Sequence, residues 1–68
     1  MTGQQLKALR TYLGLTQQAF AESIGTNRYK ISHWEAGRNE ISSAYLQIIE
    51  AKYSEQLPEV LLVKDKEK

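Results

Sequence analysis

The sequence predicts an all-α domain, a compact bundle of four to five helices, and three observations carry that prediction. Apolar residues recur at spacings of three and four in successive short segments, the period of one helical face. These segments open on Thr, Asn or Ser, residues suited to cap a helix, and the first three close on glycine. The 68 residues include no Cys, so neither disulfides nor thiolate-bound metal can hold so small a chain together. Stability must come from well-packed helices, from oligomerisation, or from both. A chain of this length forms one domain and buries about 60% of its unfolded surface. At 41% hydrophobic and 25% charged, it reads as globular.

Thr2 followed three residues later by Gln5 matches a capping box, and Leu6, Leu9 and Leu13 share the face behind it. Gly14 ends this first helix after about eleven residues. Thr16 caps a second, short helix over residues 17–24, with Phe20, Ala21 and Ile24 on its apolar side and Gly25 closing it. A third helix, residues 27–36, takes Thr26 or Asn27 as its cap, turns Ile31 and Trp34 inward and stops at Gly37. So few residues separate it from the second helix that the two must meet steeply rather than as an antiparallel hairpin. The run Arg38-Asn39-Glu40-Ile41 reads as a loop. Ser42 or Ser43 then caps a fourth helix reaching Tyr53, which buries Tyr45, Leu46, Ile49 and Tyr53. Pro58 suits the first position of a short fifth helix through Val60, Leu61 and Leu62, although that β-branched run also fits an extended segment. Residues 64–68 are all charged and form a solvated tail.

The second and third helices carry the chemistry. Ala21 must be small because the following helix crosses close to it, and Gly25 can take the left-handed backbone that the tight turn needs. Phe20, Ile24, Ile31 and Trp34 tie both helices into one core. The segment from Leu15 to Gly37 with these residues in place resembles the helix-turn-helix of the Cro and phage-repressor (XRE-type) DNA-binding family. The resemblance spans residues 4–53 and extends to Leu57–Leu62 as the family's fifth helix. It implies a lambda-repressor-like DNA-binding domain over residues 1–63. One position departs: Thr26 stands where the family commonly has Val, and it keeps the β-branched shape.

The resemblance also implies how the domain meets DNA, with the third helix in the major groove and its N-terminal residues on base edges. With Ile31 and Trp34 inward, Asn27, Arg28, Tyr29, Ser32 and His33 lie toward the outer side as base-contacting residues. Arg28 is the best candidate for base readout, since its planar fork matches both acceptors of guanine. Tyr29 suits a thymine methyl or a phosphate. Gln17 resembles the family's phosphate-binding glutamine at a helix N-terminus. Arg10, Thr16, Lys30, Arg38 and Asn39 complete the expected phosphate contacts. Arg10 and Glu35 resemble a family ion pair that fixes the recognition helix against the first helix.

Simpler roles compete for several of these residues. His33 has no second His and no Cys beside it, so it reads as groove-facing or solvated, not as a metal ligand or general base. Trp34 reads as core, not as a platform for stacking bases. Arg28 and Lys30 could form a plain solvated face, but within this motif the DNA-facing reading outweighs it. Leu57, Val60, Leu61 and Leu62 either close the core or form a dimer patch.

Three classes of function fit. The first is a sequence-specific transcriptional regulator, a repressor that binds double-stranded DNA as a homodimer through Leu57, Val60 and Leu61. Its recognition helices would lie about 34 Å apart on a pseudo-palindromic operator. The second is an antitoxin, or the DNA-binding part of one, that also grips a toxin. The third is a protein-interaction module on the same scaffold. An enzyme is not expected, since no nucleophile–base constellation, phosphate loop or acid pair stands out, and no cofactor or metal is implied. Without a leader or an apolar run long enough to span a membrane, the sequence predicts a cytoplasmic protein. The net charge of +1 hides a partition. Residues 1–39 hold Lys7, Arg10, Arg28, Lys30 and Arg38 against Glu22 and Glu35, a formal +3. Residues 40–68 hold four lysines against six carboxylates, a formal −2. The basic half is the helix-turn-helix half.

Overall fold

The computed structural model describes residues 1–58, which form four helices and no strand. These are α1 (Gly3–Tyr12), α2 (Gln17–Ser23), α3 (Arg28–Glu35) and α4 (Ser43–Lys52). The fifth helix expected through Val60–Leu62, and the charged tail 64–68, lie outside the described residues, although Leu57 and Pro58 are already helical.

Short side-chain oxygens start every helix. Thr2 Oγ1 accepts from the Gln5 N–H at 3.1 Å while Gln5 Oε1 accepts from the Thr2 N–H at 2.9 Å, closing the capping box. Thr16, Asn27 and Ser42 each accept from the backbone N–H three residues on. Asn27, rather than Thr26, caps α3, and Ser42, rather than Ser43, caps α4. The α2–α3 turn is set by Gly25, whose φ of +80° places it in the left-handed region. That conformation lets the Thr26 N–H reach the Ala21 carbonyl at 2.9 Å, a bond closing six residues and satisfying a helix-end acceptor. The same closure recurs after α1, from Leu15 to Arg10, and after α3, from Arg38 to His33. Ile24 and Ala36 therefore act as helix caps, and α2 and α3 are each slightly shorter than their spacing suggests.

One core joins all four elements. Leu6 and Leu9 from α1, Phe20 and Ala21 from α2, Ile31 from α3 and Ile49 from α4 are fully buried. Ile24, Trp34, Ile41 and Tyr53 are nearly so. Each large aliphatic or aromatic side chain removed from water in this way contributes about 1.5–3 kcal/mol. Leu13, expected on the inner face of α1, instead caps it and is half-buried, as are Tyr45 and Leu46 on α4.

Aromatic contacts fasten α4 to the motif. Tyr53 stacks on Phe20 with ring centroids 5.5 Å apart, and Tyr45 meets Trp34 at 5.4 Å. The Ser23 hydroxyl donates to the Phe20 carbonyl at 2.7 Å and lies 2.7 Å from the Tyr53 hydroxyl. Having spent its one proton on Phe20, Ser23 must accept from Tyr53.

The start of α1 also touches the end of α3. A Cβ built on Gly3 would overlap the Trp34 carbonyl oxygen and lie 2.9 Å from its carbon. Only glycine lets the two backbones come so close.

Candidate nucleic-acid interface

The candidate interface begins with the angle between α2 and α3. Fully buried Ala21 leaves room for α3 to cross, and the Gly25 turn sets its direction. Ile31 and Trp34 then hold α3 by its inner side. The 3.6-residue period leaves Arg28, Tyr29, Lys30 and His33 exposed on the other side, with Ser32 half-buried between them. Tyr29 is 65% exposed, a large apolar area for a side chain that no core contact requires. The Arg28 guanidinium lies over its ring, 5.3 Å from the centroid. Asn27 is exposed at the head of the helix. Its Oδ1 accepts from the Lys30 N–H, which leaves its Nδ2 donors and one Oδ1 lone pair for a partner.

A polar network behind this face fixes α3 to the rest of the fold. Arg10 Nε donates to Glu35 Oε2 at 2.6 Å, and its Nη2 donates to Oε1 at 3.1 Å. The fork is thus bidentate, and the side chains are only 15% and 6% exposed. The remaining arm of Arg10 donates to the Leu15 carbonyl at 2.9 Å. The hydrogen bond to Glu35 is the main cause that raises the Arg10 pKa above its ordinary value; Coulombic attraction to Glu35 adds to it and burial opposes it. Gln17 Nε2 also donates to Glu35 Oε1, at 3.1 Å. One carboxylate at the end of α3 therefore binds α1 and α2 together.

The residues expected to contact DNA fall into three groups. Asn27, Arg28, Tyr29, Lys30, Ser32 and His33 are assembled on one helix. Arg10 and Gln17 meet at Glu35, each with donors already engaged there. Thr16 caps α2 through its hydroxyl oxygen, while Arg38 and Asn39 are exposed just after α3. The residues that sequence reasoning passed over are Gly3 and Leu15, the first setting the α1–α3 approach and the second supplying a carbonyl to Arg10. Among the described residues, no group of His, Asp and Glu could hold a metal ion, and no helix is long and apolar enough to cross a membrane.

A model of the helix-turn-helix domain matches residues 3–59. The chain belongs to the helix-turn-helix domain family. Such a domain is a DNA-binding scaffold in which the second helix of the motif commonly serves as the recognition helix. The helix-turn-helix domain is also similar to Antitoxin PezA of Streptococcus pneumoniae serotype 4 (strain ATCC BAA-334 / TIGR4), with 35% identity over 54 residues, 79% of this chain. The chain spans about a third of the length of that relative, 34%. No solved structure matches it.

Proposed function

We propose that this helix-turn-helix domain is a sequence-specific transcriptional regulator of the Cro and phage-repressor (XRE) type, a repressor that sets α3 in the major groove. Asn27, Arg28, Tyr29, Ser32 and His33 read bases, while Lys30, Arg38, Asn39, Thr16 and Gln17 meet phosphates. Arg10 stands behind them and reaches the backbone only through the donors that Glu35 leaves over. The domain works as a homodimer on a pseudo-palindromic operator, in a binding role that needs no cofactor, metal or catalytic group.

The observation that carries this reading is the division of α3. Its inner side is buried, its outer side offers Arg28, Tyr29, Lys30 and His33 to solvent, and Glu35 locks its end to two other helices. A helix buried on its inner side, anchored at its end and polar on its outer side is a rigid reading head, which base recognition requires. Of the expected dimer patch, Leu57 packs partly against the core, and Val60 and Leu61 lie outside the described residues.

Selection of bound duplexes from random DNA tests the proposal. A recovered site with two half-sites about one helical turn apart is expected. Arg28→Ala should then lose preference for that site over random DNA, whereas Gln17→Ala should weaken both alike. Equal losses for Arg28→Ala would contradict base reading. Failure to retain any duplex at low salt would favour a protein-interaction module instead.

The similarity to Antitoxin PezA favours a second reading, in which the domain is the DNA-binding part of an antitoxin that controls its own operon. Expression of the adjacent reading frame alone would then arrest growth, and co-expression of this chain would restore it. A lone repressor would show neither effect.

A further inference from the structure

We infer that Arg28 and Tyr29 form one reading unit for a dinucleotide, a 5-methylpyrimidine followed by guanine, so that binding responds to methylation of cytosine at that step. The inference rests on the DNA-binding reading above and adds its target.

Neighbouring residues on a helix do not normally face each other. Here the Arg28 guanidinium carbon nevertheless lies over the Tyr29 ring, 5.3 Å from its centroid. Both side chains are exposed, and no carboxylate among the described residues pairs with Arg28. The ring therefore orders a cation whose in-plane donors are left for a partner. That ordering lowers the entropy lost when the fork engages an acceptor pair.

Guanine supplies that pair in the major groove, through O6 and N7. The complementary cytosine would need an acceptor for its N4 amine. None of the exposed residues of α3 in this region, Arg28, Tyr29, Lys30 and His33, is a carboxylate. Glu35 is 6% exposed and bound to Arg10 and Gln17. Without a free carboxylate, the acceptor best matched to that amine, the face favours the guanine edge.

A guanidinium has two faces, and in this reading unit one of them rests toward the Tyr29 ring. With the fork in the guanine plane, the other face lies over the groove edge of the adjacent base pair. Thymine and 5-methylcytosine place a methyl group there, whereas uracil and cytosine do not. The guanidinium is more weakly hydrated than an ammonium, so covering that face with an apolar methyl costs little. The methyl group completes a sandwich of ring, cation and methyl.

The test uses the full chain and the site recovered by selection, with fluorescence anisotropy on duplexes altered at single atoms. The recovered half-site should contain the thymine–guanine step. Replacing its guanine by 7-deazaguanine removes one acceptor and should weaken binding about tenfold. Replacing its thymine by uracil removes only the methyl and should weaken binding about fourfold. A 5-methylcytosine in the same place should bind more tightly than cytosine by a similar factor. Tyr29→Phe should keep both preferences and Tyr29→Leu should reduce both, with circular dichroism unchanged for these surface variants. A recovered site whose binding ignores the deaza and uracil changes overturns this inference and leaves DNA binding standing. Recovery of no duplex at all overturns both.

Discussion

Glu35→Ala is expected to remove more stability than any surface substitution in this domain, because one carboxylate accepts three hydrogen bonds. These come from Arg10 Nε at 2.6 Å, Arg10 Nη2 at 3.1 Å and Gln17 Nε2 at 3.1 Å. The variant leaves Arg10 charged, 15% exposed and bonded only to the Leu15 carbonyl. Breaking one partner of a buried ion pair costs about 3–5 kcal/mol. The surviving Leu15 bond and residual solvent place this case at the lower end, about 3 kcal/mol. A domain this small shifts its melting temperature about 4–8 °C per kcal/mol, so a fall of roughly 12–24 °C should appear in thermal denaturation followed by circular dichroism. Neutral pH is the right condition. A raised pKa means that the contribution of Arg10 is fully present below its unfolded pKa and fades only as pH climbs through the folded one, in strong alkali. Arg10→Met combined with Glu35→Leu should recover much of the loss, since apolar packing replaces both charges. A fall under about 4 °C for Glu35→Ala would refute the claim that this pair anchors α3.

Three further substitutions probe how the helices are held. Gly3→Ala brings a better helix former, worth about 1 kcal/mol, against a Cβ that would overlap the Trp34 carbonyl oxygen and lie 3.2 Å from the Glu35 Cα. Net destabilisation of about 1–3 kcal/mol in urea unfolding is expected, and a stabilised variant would show that α1 slides freely. Gly25→Ala meets no atom within 4 Å, so its cost is that of the +80° φ alone, about 1–2 kcal/mol in the same assay. Tyr53→Phe keeps the stack on Phe20 but loses the donation to Ser23, about 1 kcal/mol by thermal denaturation; a double-mutant cycle with Ser23→Ala that shows no coupling would refute that bond.

The helices and the outward face of α3 were legible because their determinants are local. Thr2, Thr16, Asn27 and Ser42 state where helices start, and Ile31 with Trp34 states which side of α3 turns inward. What stayed hidden depends on residues distant in sequence. Gly3 reads as a weak helix former until the Trp34 carbonyl is placed against it. Gln17 reads as a phosphate-binding glutamine at a helix start, and its donation to Glu35, eighteen residues on, shows only in the fold. The stack of Tyr53 on Phe20 likewise needs the fold before either ring has a partner. Periodicity gives each residue a direction, but only packing gives it a neighbour.

The Arg10–Glu35 pair also changes what the charge partition means for binding. Of the five cations in residues 1–39, Arg10 is neutralised by Glu35 and mostly buried. Arg28 is assigned to a base, which leaves Lys30 and Arg38 as the exposed phosphate cations near α3, with Lys7 exposed on α1. Two or three phosphate contacts per protomer make about four to six in a dimer, and each contributes about −0.9 to the slope of log K against log salt concentration. The expected slope is therefore roughly −4 to −5 for the dimer and about half that for a monomer. Anisotropy titrations of the selected duplex across salt concentrations measure it directly. A slope steeper than about −7 would mean that cations outside this face carry the binding, and the assignment of Lys30 and Arg38 as its main phosphate contacts would fall.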